Sequence, residues 1–294
     1  MVIVADDRDY AADMVARHLR RATFVRLDPG RPRSEEHTSA LIRAGATSEW
    51  TVGGAPVGPW TSVLWRKPTK ATSLEGEEAW AADETTVAVL GTLRAAGAGR
   101  WMNEPMAVHY HRTRLPQLTL AADLSMDIPD TLTTTNPEEA AAFIAAGRTV
   151  VKAMTQTYVD FAPAWEITPS DPLIGMQPVP HTFQRLIDKK ADLRVTVVGD
   201  QVFAARITSD LLDWRADPEA ASYELVELDD VTNRQLHDYM AAASLSFGAF
   251  DLVEDMDGRP WFLECNSNGE WGFIEESTGA PISGAIAEWL TLDA

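Results

Sequence analysis

Asp251, Glu264 and Asn266 are the residues around which chemistry can be built. They stand in a run, 250–271, whose two apolar stretches flank Asp257-Gly258. That dipeptide favours the positive φ of a hairpin, so the pattern predicts strand, turn, strand. Side chains alternate across a strand. Phe262, Glu264 and Asn266 are therefore expected on one face, and Trp261, Leu263 and Cys265 on the other. Asp251, on the partner strand, is placed to face Glu264. Two carboxylates and a carboxamide oxygen form a hard, all-oxygen site. Such a site suits magnesium, which takes one or two carboxylates and leaves positions for phosphate and water. An arbitrary Asp/Glu pair is more often solvated on an edge strand. Glu264, however, lies inside an apolar run, where an unpaired carboxylate is expensive and a cation relieves the cost.

The elements that must position these groups come from a chain of 294 residues, 45% hydrophobic. That is enough for a sizeable core, in one large unit or two or three lobes. The formal net charge of −19 argues against nucleic acid or an anionic membrane as partner, since both reward Lys and Arg. Cys265 is the only cysteine, so no intrachain disulfide can form and nothing suggests an oxidising compartment. The apolar run from Met1 to Ala5 is stopped by Asp6-Asp7-Arg8-Asp9, too soon for a signal peptide. No run approaches the ~20 apolar residues that span a bilayer. A cytoplasmic protein is expected.

Met1 to Ala5 reads as a buried strand. Asp9 is placed to cap a helix through Met14, Val15 and Leu19, and residues 24–27 read as a second strand. This β-α-β opening lacks the glycine fingerprint of dinucleotide binding. Residues 28–59 read as hairpins and loops, 62–65 as a strand, and 75–98 as one or two helices. His109 and His111 are expected on a polar helix face rather than as a zinc pair. Asn136-Pro137-Glu138-Glu139 starts a helix: cap, proline at the first position, acids in the first turn. Residues 149–152 form a β-branched strand ending in Lys152, and 182–187 a further strand. Two β-rich runs about Gly199-Asp200 predict a hairpin, Thr232 is placed to cap a helix, and 282–290 reads as a final amphipathic helix.

In order and spacing the chain resembles the ATP-grasp ligases. The likeness rests on Lys152, Gln184, Asp192-Leu193-Arg194, Asp213-Trp214-Arg215, Asp251, and Glu264-x-Asn266 followed by Gly269. The run Asn266-Ser267-Asn268-Gly269-Glu270-Trp271 and the segment Trp65-Arg66-Lys67-Pro68 are most similar to the branch that matures ribosomally made peptides, the graspetide or microviridin-type macrocyclases. The likeness is clearest from Trp101 onward. It implies an α/β ATP-grasp fold, with an N-terminal domain over 1–102, a central lobe over 103–180 and a C-terminal lobe over 181–294.

The resemblance also implies roles. ATP is expected to meet Arg114, Lys152, the Gln184 strand, Asp192 and Arg215. At that strand, backbone groups of Arg185, Leu186 and Ile187 would pair with adenine, and Asp192 would touch ribose. Arg114 stands where the family usually has lysine. Thr155-Gln156-Thr157 lacks the glycine that many members carry in a phosphate lid. Arg194, Arg206 and Arg215 are expected to face one cleft and act on the transferring phosphoryl group. Asp251, Glu264 and Asn266 would hold Mg2+, and Arg66 and Lys67 would face the peptide. The implied reaction activates an Asp or Glu side chain of a precursor peptide as an acyl phosphate, then closes an ω-ester or ω-amide bond. A homodimer is expected by analogy. The alternatives are a ligase that adds amino acids to a protein or small acceptor, and a nucleotide-binding scaffold without catalysis.

Overall fold

The computed structural model describes residues 1–20, 22–45, 47–152, 164–173 and 178–292. Strand β1 (Val2–Val4) is apolar and buried throughout, as a strand flanked on both sides in a parallel sheet must be. The Asp9 carboxylate accepts the Ala12 N–H and so starts α1 (Tyr10–His18). The chain returns as β2 (Val25–Leu27), parallel to β1. The 28–59 stretch contains a small antiparallel sheet of β3 (Ser39–Leu41), β4 (Glu49–Val52) and β5 (Ala55–Pro56). Next come β6 (Ser62–Trp65), the single helix α2 (Gly76–Ala95) and β7 (Arg100–Met102). The first sheet has the order β2-β1-β6-β7, with all its pairings parallel.

Helices α3 (Pro105–Tyr110) and α4 (Arg114–Asp123) follow. The second sheet, of order β10-β9-β11-β8, is antiparallel throughout: β8 (Thr131–Thr134), β9 (Thr149–Lys152), β10 (Trp165–Ile167) and β11 (His181–Arg185). Its helix α5 (Pro137–Ala145) begins at Asn136, whose side chain accepts the Glu138 N–H, and Ala140 and Ile144 pack on Val151 and Phe183. Strand β11 thus joins the middle sheet, past the boundary expected at residue 180. The glycine-free segment 155–157 lies outside the described residues.

The third sheet positions the site. Its order is β14-β13-β12-β15-β16, from β12 (Lys189–Val198), β13 (Gln201–Thr208), β14 (Ser222–Val226), β15 (Phe247–Asp255) and β16 (Pro260–Asn266). Helix α6 (Asp230–Ala242) is capped by Asp229 rather than Thr232. The Asp229 carboxylate accepts the N–H groups of Val231 and Thr232, while Thr232 turns inward and is buried. A carboxylate three residues earlier is better placed for the free N–H groups of the first turn. Helices α7 (Gly272–Thr278) and α8 (Ile282–Thr291) close the chain, and α8 packs back on α1. One face of the third sheet therefore shares a core with the first sheet: Ile3, Val15 and Leu64 meet Val198, Ile207 and Ile286. Its other face is covered by α4 and α6, through Leu118, Leu236 and Tyr239 against Leu193, Val195 and Phe250. No described helix is long and apolar enough to cross a membrane.

Candidate active site

Register decides which side chains meet. Arg194 on β12 pairs with Asp251 on β15, which pairs with Glu264 on β16, and paired residues share a face. Asn266, opposite Ala249, lies on that face too. The pairing slips at Asp251/Leu252, where two steps on β16 match one on β15. This bulge at Leu263 sends Phe262 to the opposite face, into the core with Cys265. Phe262 and Glu264 were expected to share a face; the extra residue separates them. The bulge also lets an apolar strand fill a core and still aim Glu264 at a cleft.

The two carboxylates are gripped by arginines. Arg194 Nη1 donates to Asp251 Oδ1 at 2.7 Å, and Arg215 Nη2 donates to Asp251 Oδ2. Arg114 Nη2 donates to Glu264 Oε2 at 2.6 Å. Burial alone would raise the Asp251 pKa, but Arg194 and Arg215 outweigh it and hold the group below the usual carboxylate range. Burial likewise works against the Arg215 charge. Asp251, Asp213 and Glu264 overcome this and raise its pKa further. Asp213 caps its own turn by accepting the Arg215 N–H and also takes a bond from the guanidinium. The side chain of Asp251 is 12% exposed and that of Glu264 34%, so the cleft opens on the Glu264 side.

Lys152, at the end of β9, faces this cluster from the middle sheet. Its Nζ donates to Gln184 Oε1 at 2.6 Å, and Gln184 Nε2 donates to Thr131 Oγ1 at 2.9 Å. Burial, with help from Arg114 and Arg215, lowers the Lys152 pKa to about 8 against the opposing pull of Glu264 and Asp213. Asp192 is on the same sheet face as Arg194 and takes a 2.5 Å bond from Lys189. Its pKa is raised because burial outweighs Lys189. Lys152, Arg114, Arg194, Arg215, Asp192, Asp213, Asp251 and Glu264 are thus one electrostatic unit between two sheets.

Arg206 and Arg66 stand elsewhere than expected, and the Arg185 side chain has a structural place of its own. Arg206 pairs with Leu193, not Arg194, and so points to the opposite face of the sheet. There it binds Glu254 at 2.7 Å and Glu224 at 3.0 Å. The Arg185 side chain closes the end of α5, donating to the Phe143 and Gly147 carbonyls and stacking 3.8 Å from the Phe143 ring. The Leu186 N–H is donated to the Arg148 carbonyl and the Arg185 N–H to that of Asp130, so neither is free for an adenine edge. Arg66 is buried, bonded to Asp9 and Glu270, rather than presented to a cleft. Lys67, half exposed, also pairs with Glu270.

Other residues hold the strand end on which Asn266 sits. Gln117 takes both main-chain groups of Cys265: its Oε1 accepts the N–H at 2.8 Å and its Nε2 donates to the carbonyl at 2.9 Å. Asn103 Nδ2 donates to the carbonyls of Phe247 and Ser267, both at 2.7 Å, and its Oδ1 accepts two further N–H groups. Nothing in the local sequence of Asn103 or Gln117 marks these partners, which lie about 150 residues away. Gly269 is required by close approach: a Cβ there would stand 2.5 Å from Ala249 Cβ and 2.8 Å from Arg194 Nη2.

Among the described residues no group of three His, Cys, Asp or Glu side chains is gathered for an ion. The oxygen set is the carboxylate pair with Asn266. It fits a hard cation that brings its remaining ligands with it, as magnesium does with phosphate.

No family model and no curated protein sequence matches the chain. Solved structures do. The macrocyclase MdnC of Microcystis aeruginosa MRC, bound with precursor peptide MdnA, is 28% identical, with a TM-score of 0.82 over 98% of each chain. The macrocyclase MdnB of the same organism is 25% identical, with a TM-score of 0.76 over 99% of this chain and 98% of that one. The chain has the ATP-grasp fold and is similar over nearly its whole length to the ATP-grasp peptide macrocyclases. The ATP-grasp ligase PsnB, complexed with minimal precursor, Mg and ADP, has the same fold at a TM-score of 0.80, with 24% identity over 98% of this chain and 95% of that one. The face carrying Arg194, Asp251 and Glu264 is the one whose charges reach Lys152.

Proposed function

We propose that the chain is an ATP-dependent, ADP-forming ligase that activates Asp or Glu side chains of a ribosomally made precursor peptide and closes ω-ester or ω-amide bonds within it. The observation that carries this reading is the convergence of Lys152, Arg114, Arg194 and Arg215 on the facing pair Asp251/Glu264. The ligands of MdnC and PsnB support it. A polyphosphate needs fixed positive charge, and a metal that bridges phosphates needs hard oxygens. Both are present on facing sheets.

In the first half-reaction a peptide carboxylate oxygen bonds to the γ-phosphorus. The bond from that phosphorus to the bridging oxygen breaks, and ADP leaves with the electron pair. In the second, a Thr or Ser hydroxyl or a Lys amine of the same peptide attacks the acyl carbon. Phosphate leaves and the nucleophile gives up its proton, so each ring costs one water. The protein forms no covalent bond itself. Arg114 donates to Glu264 and Arg215 to Asp251, and phosphate oxyanions offer the same guanidiniums a second partner. Their transfer frees oxygens of Glu264 and Asp251, the residues that with Asn266 would hold magnesium. When bound, magnesium offsets the charge of the transferring phosphoryl group. Lys152 supplies a point charge to the same group.

The Lys152 pKa of about 8 gives a pH dependence. Below pH 8 the ammonium is charged and meets phosphate at full strength. As pH rises through 8 the free protein loses this charge, and ADP binding weakens. Bound phosphates raise the pKa again, so binding between about pH 8 and 9 takes up a fraction of a proton. Calorimetry in two buffers of different ionisation enthalpy measures the uptake, and Lys152→Gln is expected to abolish it.

A cytoplasmic place, where ATP and Mg2+ are supplied, is part of the proposal. So is a second copy of the chain. The outward side of α2 exposes Trp80 and Val87 beside Gly91, and two α2 helices crossing antiparallel about a twofold axis would set Trp80 of one copy over Gly91 of the other. Light scattering checks this: Trp80→Glu is expected to give monomers from a dimeric parent.

The deciding experiment is mass spectrometry of the short Thr- and Asp/Glu-rich peptide encoded beside the gene, incubated with protein, ATP and Mg2+. Loss of one or more waters only in the presence of ATP is the expected result. Added residue masses would instead indicate an amino-acid ligase, and ADP binding with no turnover of any peptide a scaffold.

A further inference from the structure

We infer that Arg66 is a positioning residue for Asn266, acting through the loop 267–270. The inference rests on the function proposed above, because it assigns Asn266 a place toward magnesium. Arg66 follows β6 directly, and its side chain is 1% exposed. Its N–H donors are spread over one loop and one helix cap. Nη1 donates to the carbonyls of Asn268 at 3.3 Å and Gly269 at 3.1 Å. Nη2 donates to both Glu270 oxygens, at 3.2 and 3.1 Å, and Nε donates to Asp9 at 3.2 Å. The guanidinium lies 4.4 Å from the Trp271 ring centroid.

The contact is returned. Asn268 Nδ2 donates to the Arg66 carbonyl at 2.7 Å, so Asn268 is held at its main-chain oxygen and at its side chain by one residue. The Arg66 N–H is itself fixed to Val4 O at 2.8 Å, which ties the whole arrangement to β1. Asn268 then donates its own N–H to Asn266 Oδ1 at 3.0 Å. That oxygen has two acceptor sites, and the N–H takes one. Asn266 is exposed, so its rotamer depends more on hydrogen bonding than on packing. The N–H of Asn268 orients the carboxamide, and Arg66 orients Asn268.

A structural ion pair alone does not account for this pattern. Neutralising Asp9 and Glu270 requires a positive charge. Reaching two successive carbonyls as well requires a planar fork with five donors, which lysine lacks. Gln117 and Asn103 hold the same segment at Cys265 and Ser267, and Arg194 Nη2 holds the Glu270 carbonyl at 2.9 Å. Arg66 supplies the section between them.

The test is calorimetric titration of ADP into the full chain, with MgCl2 and with EDTA, for the parent, Arg66→Lys and Asn268→Ala. Melting temperatures are recorded in parallel. Asn268 is only partly buried and its loss leaves the loop main chain intact, so that variant folds even if Arg66→Lys does not. The expected result is that each variant loses about tenfold of the Mg2+-dependent gain in ADP affinity, as is usual when a residue behind a metal ligand is removed, while affinity in EDTA stays within about twofold. A variant that melts lower but keeps the full Mg2+ gain makes Arg66 merely structural and overturns the inference. A parent with no Mg2+ gain overturns the metal assignment, and this inference with it.

Discussion

Asp251→Asn is expected to lower ATP-dependent crosslinking about a thousandfold, the scale of losing one preorganised electrostatic group at a phosphoryl-transfer centre. The carboxylate is the one residue that Arg194 and Arg215 share, and it faces Glu264 across the strand pair. Its removal also leaves Arg194, 6% exposed, without its counter-charge. Breaking a buried pair in this way costs roughly 3 kcal/mol of stability. Glu264→Gln separates the two effects. The Glu264 side chain is 34% exposed, so its pair with Arg114 adds less than about 1 kcal/mol to the fold. The activity loss is expected to match that of Asp251→Asn while the melting temperature barely moves. Rates of both variants, measured well below their melting temperatures, decide the matter: full ligation by either one would remove the pair from the mechanism.

Arg215→Met is expected to reduce kcat about a thousandfold with only a few-fold change in KM for ATP, as for an arginine that acts on transition-state charge. Arg215 is the residue most able to change partners. It touches Asp213 and Asp251 together, it is partly exposed, and its raised pKa keeps it charged at any working pH. Arg215 reaches Asp213 through Nη1 and Asp251 through Nη2, a planar two-nitrogen fork that lysine lacks, so Arg215→Lys is expected to recover little. Arg206→Ala supplies the control. Its partners Glu254 and Glu224 lie on the other face of the sheet, and kcat is expected to stay within about threefold of the parent. Steady-state kinetics of the three variants test the assignment, and equal losses at Arg215 and Arg206 would overturn it. Because Arg215 does not titrate in the working range, the weakening of ADP binding above pH 8 belongs to Lys152.

Local signals in the sequence carried much of the fold. Asp9 and Asn136-Pro137 announced their helices because capping is satisfied within three residues. Asp257-Gly258 announced the hairpin because positive φ selects glycine, and Gly258 has a φ of 84°. The separate faces of Arg194 and Arg206 were also readable. A two-residue turn at Gly199-Asp200 makes Val198 and Gln201 partners, so Arg194 pairs with Ala205 and Arg206 with Leu193. Expecting all three arginines in one cleft overlooked that register.

By itself, then, the sequence determined the order of elements, the hairpin that carries Asp251 and Glu264, and the basic residues available to meet phosphate. Only the tertiary structure decided their geometry. The bulge at Leu263 has no residue signature, since it is set by which of two packed faces can accept Phe262. The pairing of Arg114 with Glu264, of Lys152 with the Asp251 cluster, and of Arg66 with the loop behind Asn266 each joins residues more than 60 positions apart. Local preference does not extend that far along a chain. Such contacts form only when separate sheets bury their apolar faces together and leave their charged edges no partners but one another.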